Sequence, residues 1–324
     1  MIIMSIDNTN VLAWYPPSNE YNKEMHRMET VGFIGIGTMG IRMLTRLLQA
    51  GYPVRAYDIL PESLGNAEAV GAVACYSPRE AAQGSDVVIT IVPNSNDVES
   101  AVLGKGGVIE GTHPGQIYID MSSSSPSSTR KVAAELEKRG VYTLDAPVSG
   151  GPVGAEQGTL SILVGGDADV LAKVLPLLAT LGDKKKIIHT GGHGAGHTAK
   201  AVNNLLFGTT LIATCQALEL GVRAGIPADI MVRVIMNSSG YSYSIRKLTD
   251  YALSGKVKPG FSIQLLAKDM GIAASLAEEE HVNVDVCQRS REYFLEGLER
   301  GWGGFDNTQI LALFEEAGGA EVRL

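Results

Sequence analysis

The stretch Val31–Gly40, VGFIGIGTMG, decides the fold of this chain. It opens as a short apolar run and passes through Gly35-Ile36-Gly37-Thr38-Met39-Gly40. Ile41, Leu44, Leu47 and Leu48 then repeat at helical spacing up to Gly51. A strand, a G-x-G-x-x-G turn and a helix, in that order, form the phosphate-binding corner of a doubly wound sheet. Glycine is required at Gly35 for the tight turn, at Gly37 so that backbone can approach a pyrophosphate, and at Gly40 for close helix packing. Thr38 and Met39 complete the turn, and the phosphates would sit on the helix N-terminus. The bland alternative is a plain strand-to-helix turn.

Working outward, a second strand over 53–57 ends in Asp58, 18 residues beyond Gly40. An acidic side chain there accepts hydrogen bonds from a ribose 2′-OH and repels a 2′-phosphate, which favours NAD over NADP. Ile59 and Leu60 follow, so the usual arginine clamp for the extra phosphate is missing, although Arg42 and Arg55 are near in sequence. Strands are expected over 86–92, 116–121, 141–148, 160–164 and 186–189, with helices over 78–83, 96–103, 129–139 and 168–181. Val92-Pro93 and the serines 122–125 fall just past strand ends, where ligands of doubly wound sheets bind. The serines can equally cap the helix that follows. Ser149-Gly150-Gly151 reads either as a glycine-rich turn or as a backbone cradle for a carboxylate.

At Gly194–Asn204, GAGHTAKAVNN, the alternation stops. Lys200 and Asn204 stand four apart on one helix face with Asn203 beside them, and only helical patterns follow: 228–236, 245–253, 263–279, 285–300 and 307–316. The pair is either a solvated face or part of a site at a seam between two architectures. The expected fold is α/β, with an N-terminal Rossmann-type doubly wound sheet followed by an all-α C-terminal domain and joined to it by a long interdomain helix. The expected boundaries are an extension of unknown role over 1–29, a dinucleotide-binding domain over 30–192 and an all-α substrate and oligomerisation domain over 193–324. The apolar helix running to Gly225 suggests self-association, since one domain could hardly cover it.

The composition of the 324 residues narrows the function. A formal charge of −8 argues against nucleic acid as a partner. The three cysteines, Cys75, Cys215 and Cys287, are scattered with no C-x-x-C pair, which implies neither a disulfide framework nor a zinc cluster and makes a cytoplasmic setting the default. No apolar run approaches the roughly 18 residues of a membrane span, so no membrane partner is expected. The first 30 residues lack the pattern of a signal peptide, and Met25 or Met28 could be the natural start. His189, His193 and His197 recur every four residues, but Gly191, Gly192, Gly194 and Gly196 argue against the continuous helix that metal binding at this spacing needs.

Four motifs in order make the chain similar to the β-hydroxyacid dehydrogenase family, which includes 3-hydroxyisobutyrate dehydrogenase and tartronate semialdehyde reductase. They are GFIGIGTMG from Gly32, DAPVSGGPVGAEQG from Asp145, GAGHTAKAVNN from Gly194, and Lys268-Asp269 within LLAKDMGIA. The resemblance covers about 31–313. It implies that Lys200 is catalytic, that Asn204 contacts a small carboxylate substrate held by Ser149, Gly150 and Gly151, and that Lys268 reaches back toward cofactor and substrate. Val92, Pro93 and Ser123 resemble dinucleotide-contacting positions. The chain departs from the family in the stretch DKKK at 183–186 and in Tyr241-Ser242-Tyr243. The expected reaction is NAD-dependent hydride transfer between a small β-hydroxy acid and its semialdehyde. Its rivals are an NADP-dependent reductase of a short aldehyde such as succinic semialdehyde, a sugar-phosphate dehydrogenase, and a non-catalytic dinucleotide sensor.

Overall fold

A computed structural model describes residues 29–255, 260–319 and 321–324. The N-terminal extension, apart from Glu29, lies outside the described residues. Among the described residues nine strands form one sheet: β1 (Val31–Ile34), β2 (Val54–Tyr57), β3 (Val73–Ala74), β4 (Val87–Thr90), β5 (Ile117–Asp120), β6 (Tyr142–Asp145), β7 (Val148–Ser149), β8 (Leu160–Gly166) and β9 (Gly182–Gly191). Their order is β3-β2-β1-β4-β5-β6-β8-β7, with β9 beside β8. Strands β1 to β6 pair in parallel, β8 runs antiparallel to β6 and β7, and β9 is parallel to β8. Every residue of β1, β4 and β5 is buried, as expected of strands with helices on both faces. The strand order reverses between β1 and β4, so the glycine turn after β1 faces Val92-Pro93 after β4.

Three local expectations change. The single strand expected over 141–148 is two, β6 and β7, separated by Ala146 and Pro147, where proline cannot donate to a ladder. β9 begins at Gly182 rather than 186, which places the DKKK stretch inside the strand. A helix, Gly151–Gln157, occupies a stretch where no helix is expected; Pro152 suits its first turn and left-handed Gly158 (φ 67°) ends it.

The remaining described residues form a helical lobe around Ala195–Arg223, a helix of 29 residues. Helices Ile263–Glu279, Asp285–Glu299 and Leu311–Gly318 pack against it. The helix expected over 245–253 divides into Tyr243–Leu248 and a π turn, Thr249–Leu253, and the one expected over 307–316 begins as a 3-10 turn, Asn307–Ile310. Each lobe has its own apolar core, one centred on Phe33, Leu44, Ile89 and Ile162, the other on Leu211, Leu248, Met270 and Phe294. The long helix is apolar and long enough to cross a membrane by length and composition. This differs from the expectation that no apolar run approaches that length; Asn203, Asn204, Thr209, Thr210 and Gln216 interrupt the apolar residues in sequence without adding charge. One side of the helix is core; the other exposes Val202, Leu206 and Leu220.

Candidate active site

The glycine corner is built for close approach. Gly35 adopts φ 96°, and a Cβ on Gly40 would lie 2.0 Å from the Gly35 carbonyl oxygen, whereas a Cβ on Gly37 would meet nothing within 4 Å. The turn is thus packed against itself at Gly35 and Gly40 and open at Gly37, which suits a pyrophosphate laid over the helix that starts at Gly40. Thr38 and Met39 lie on the same turn, with Thr38 exposed. Asp58 closes it from β2: its Oδ2 accepts from the Ile36 N–H at 2.6 Å and its Oδ1 from the Leu60 N–H at 2.8 Å. A carboxylate has about four lone-pair sites, so room remains to accept a ribose diol. These residues fit a nicotinamide dinucleotide.

The ends of β4 and β5 form the next wall. The Val92 N–H donates to Ser122 Oγ at 3.0 Å. From the helical lobe, Lys268 Nζ donates to the carbonyl oxygens of Pro93 (2.8 Å) and Ser123 (2.9 Å). The structure thus brings together four residues read from separate motifs: Val92, Pro93, Ser123 and Lys268.

At the seam, Asp145 at the end of β6 is fully buried and accepts from the backbone N–H groups of Gly194 (Oδ1, 2.8 Å) and His197 (Oδ2, 2.9 Å). A carboxylate therefore caps the long helix from across the fold, where the helix dipole favours negative charge. A Cβ on Gly196 would lie 2.4 Å from the Leu163 carbonyl oxygen and 2.7 Å from that of Asp145, so only glycine lets the helix start this close to the sheet. One turn on, Lys200 is 9% exposed and Asn204 3%, which removes the solvated-face reading of the pair.

No hydrogen-bond or ion-pair partner of the Lys200 amine is found among the described residues. Burial lowers its pKa below the ordinary lysine value, nearby Asp269 opposes that shift and Lys268 adds to it. Asn204 Nδ2 donates to Asp269 Oδ2 at 2.6 Å, and Asn203 Nδ2 donates to Asn204 Oδ1 at 3.2 Å, so the Asn204 carboxamide is held from both ends. Ser149, Gly150 and Gly151 connect to this cluster through the sheet, with Ser149 opposite Ser161 of β8. Gly150 (φ 137°) and Gly151 (φ 62°) turn the chain there, and a Cβ on Gly151 would meet nothing within 4 Å. No hydrogen bond joins them to Lys200 or Asn204 among the described residues.

The three histidines face different partners: His189 Nε2 the Gly166 carbonyl, His193 Nε2 Thr143, and His197 the Thr129 hydroxyl (Nδ1, 2.6 Å) and the Ser122 carbonyl (Nε2, 3.0 Å). Reading the sequence missed Asp145 as a cap, His197 as a tie to the Ser122 loop, and Asp269 as the partner of Asn204. An acidic residue closing both β5 and β6, Asp120 and Asp145, was the available signal for the first.

Comparison with known proteins agrees with this fold. Residues 30–191 match the NAD-binding domain of 6-phosphogluconate dehydrogenase, and residues 194–314 match the NAD-binding domain of NADP-dependent 3-hydroxyisobutyrate dehydrogenase. The chain is 38% identical to 2-(hydroxymethyl)glutarate dehydrogenase of Eubacterium barkeri, covering 92% of this chain and 99% of that protein. It is 36% identical to NAD-dependent L-serine dehydrogenase of Pseudomonas aeruginosa, covering 90% and 100%. A solved 3-hydroxyisobutyrate dehydrogenase of Mycobacterium tuberculosis, with L-serine, superposes with a TM-score of 0.82 at 31% identity, covering 88% of this chain and 99% of that one.

Proposed function

The chain belongs to the 3-hydroxyisobutyrate dehydrogenase-like family of NAD(P)-binding dehydrogenases acting on hydroxyl groups, and on that premise we propose that it interconverts a small β-hydroxy acid and its semialdehyde with NAD, using Lys200 to move the proton. The single observation that carries this reading is the buried side chain of Lys200 beside Asn204 at the seam, its amine without a hydrogen-bond or ion-pair partner among the described residues. A bound nicotinamide supplies the hydride acceptor in oxidation and the donor in reduction.

The protein contributes the rest. Neutral Lys200 takes the hydroxyl proton in oxidation, and its ammonium returns that proton to the forming alkoxide in reduction. Ser149, Gly150 and Gly151 hold the substrate carboxylate, with Asn204 beside it. Gly35, Gly37, Thr38, Met39, Gly40, Asp58, Val92, Pro93, Ser123 and Lys268 hold the dinucleotide. In this reading residues 30–192 bind the cofactor and 193–324 complete the substrate site. The P. aeruginosa relative is named for NAD and L-serine, which supports a three-carbon β-hydroxy acid with a polar substituent on its α-carbon as the first substrate to test.

The test is a panel of three- to five-carbon β-hydroxy acids, each with NAD and with NADP. The expected result is reduction of NAD by at least one acid, slower with NADP, and a rate that rises with pH through a midpoint below the ordinary lysine value. Absence of turnover on the whole panel would leave a dinucleotide sensor, and preference for NADP would remove the role given to Asp58. Exposed Val202, Leu206 and Leu220 along one side of the long helix support a homodimer or homotetramer. Sedimentation equilibrium checks this, and a monomer at micromolar concentration contradicts it.

A further inference from the structure

Lys247, on the helix Tyr243–Leu248, is a second buried lysine, and the reaction proposed above gives it no role. Its Nζ donates to Asn307 Oδ1 at 2.8 Å and lies 3.4 Å from each carboxylate oxygen of Asp306. The same Nζ stands 5.6 Å from the ring centre of Phe207 and 5.5 Å from that of Tyr251, within cation–π range. An ammonium has three donors and no acceptor, and here a carboxamide, a carboxylate and two aromatic faces surround it. Buried ion pairs can often be replaced by apolar side chains without loss of stability, so one kept here calls for another reason.

Asp306 is held independently of the lysine. Its Oδ1 accepts from the Thr308 N–H (3.0 Å) and hydroxyl (2.9 Å), and its Oδ2 from the N–H groups of Gly260 (3.2 Å) and Phe261 (3.3 Å). The anion is fixed, and it fixes the ammonium. What the ammonium meets in turn is Phe207, on the long helix. Phe207 follows Lys200 by seven residues and Asn204 by three, which puts all three on one helix face. Its backbone stands about 4.5 Å further along the axis than that of Asn204, and helical side chains lean toward the N-terminus, so the ring leans back toward Asn204. Phe207 is half-buried, and the Tyr243 ring packs against it with centroids 5.7 Å apart. Thr210 Oγ1 and Ser244 Oγ, 2.8 Å apart, pin the two helices together beside that contact.

We propose that Phe207 is the end wall of the substrate site and that Lys247 is its positioning residue, holding the ring from the buried side so that it limits the size of the substituent on the acid's α-carbon. The inference rests on the substrate site read around Lys200 and Asn204. A phenylalanine on a helix chooses between two χ1 rotamers. A cation anchored by Asp306 and Asn307 over the face of the ring favours one of them, and a wall with one position selects by size.

The test uses the full chain and 3-hydroxypropionate carrying hydrogen, methyl or ethyl on its α-carbon, with two readouts. One is kcat/KM with NAD; the other is the dissociation constant of each acid from the NADH complex, by calorimetric titration. Phe207→Ala should raise the ethyl-to-hydrogen ratio about tenfold in both. Lys247→Met, in which Asp306 keeps its four other donors, should raise it about threefold, with NAD affinity within about twofold of native. Because the lysine acts through the ring, Lys247→Met added to Phe207→Ala should change the ratio no further. A merely structural loss would weaken all three acids together and leave the ratio where it was. An unchanged ratio in either single variant overturns the inference, and so does a double variant in which the two effects multiply. Acids that bind with the expected ratios but are never oxidised would overturn the proposed reaction and leave the wall standing. Oxidation with unmoved ratios would do the reverse, and neither binding nor oxidation would overturn both.

Discussion

Lys200 is expensive to keep where it is. Burial depresses its pKa, so in the window between the folded value and the ordinary lysine value the unfolded chain binds more protons than the folded one. Stability therefore rises with pH across that window, and below it the full penalty of a buried ammonium is present. Lys200→Met, similar in shape and uncharged, should melt a few degrees higher than the native protein at pH 7. The gap should narrow as the pH rises through the folded value toward the ordinary lysine value, because the folded lysine is then neutral and no buried ammonium remains. Thermal melts at pH 7 and 9.5 check this; a constant gap would mean that packing, not charge, sets it. Lys200→Ala should lower kcat by roughly 10²–10⁴ through lost proton transfer, with the dissociation constant for NAD nearly unchanged. Retention of most of the activity would remove Lys200 from the mechanism.

At the scale of elements, the decisive contact is between the end of β6 and the start of the long helix. Asp145 satisfies two of the orphan N–H groups of that helix, and both bonds are charge-assisted and buried. Asp145→Ala should cost about 2–4 kcal/mol in urea unfolding, through a lost cap and two buried donors left unmet. A loss under about 0.5 kcal/mol would mean that water or a neighbour replaces the carboxylate. The contact also shows what the sequence makes legible. Alternating strands and helices, the glycine corner and the long helix could be read because each is encoded by near neighbours: periodicity over a few turns, a glycine where backbone is crowded, Ser77 capping the helix at Pro78. Asp145 sits 49 residues before Gly194 and 52 before His197, and Asp269 sits 65 after Asn204. Such pairings leave no local trace. The helix after Gly150 left little trace in the sequence for a related reason: with four glycines or prolines among 150–154, propensity argues against a helix, and packing on β8 supplies one.

At the scale of the molecule, polar contacts between the lobes gather at two places among the described residues. One is the start of the long helix, where Gly191 (φ 130°) and Gly194 (φ 88°) turn the chain and Asp145, Thr129 and Ser122 hold it. The other is Lys268, which reaches across to Pro93 and Ser123 from a helix that begins about seventy residues later in the chain. The first place is buried and continuous with both cores; the second is partly solvated, with the Lys268 side chain 25% exposed. Their contributions should therefore separate. Removing a partly exposed cation costs at most about 1 kcal/mol of stability, but it releases the two carbonyls that shape the wall after β4 and β5. Lys268→Met should leave the melting temperature within about 2 °C of native and weaken dinucleotide binding about tenfold, some 1.4 kcal/mol. Calorimetric titration with NAD beside a thermal melt measures both. Equal losses in the two would make Lys268 a structural strut of the cleft, whereas a selective loss of binding identifies the lysine as the clasp that the second lobe lays over the cofactor edge of the first.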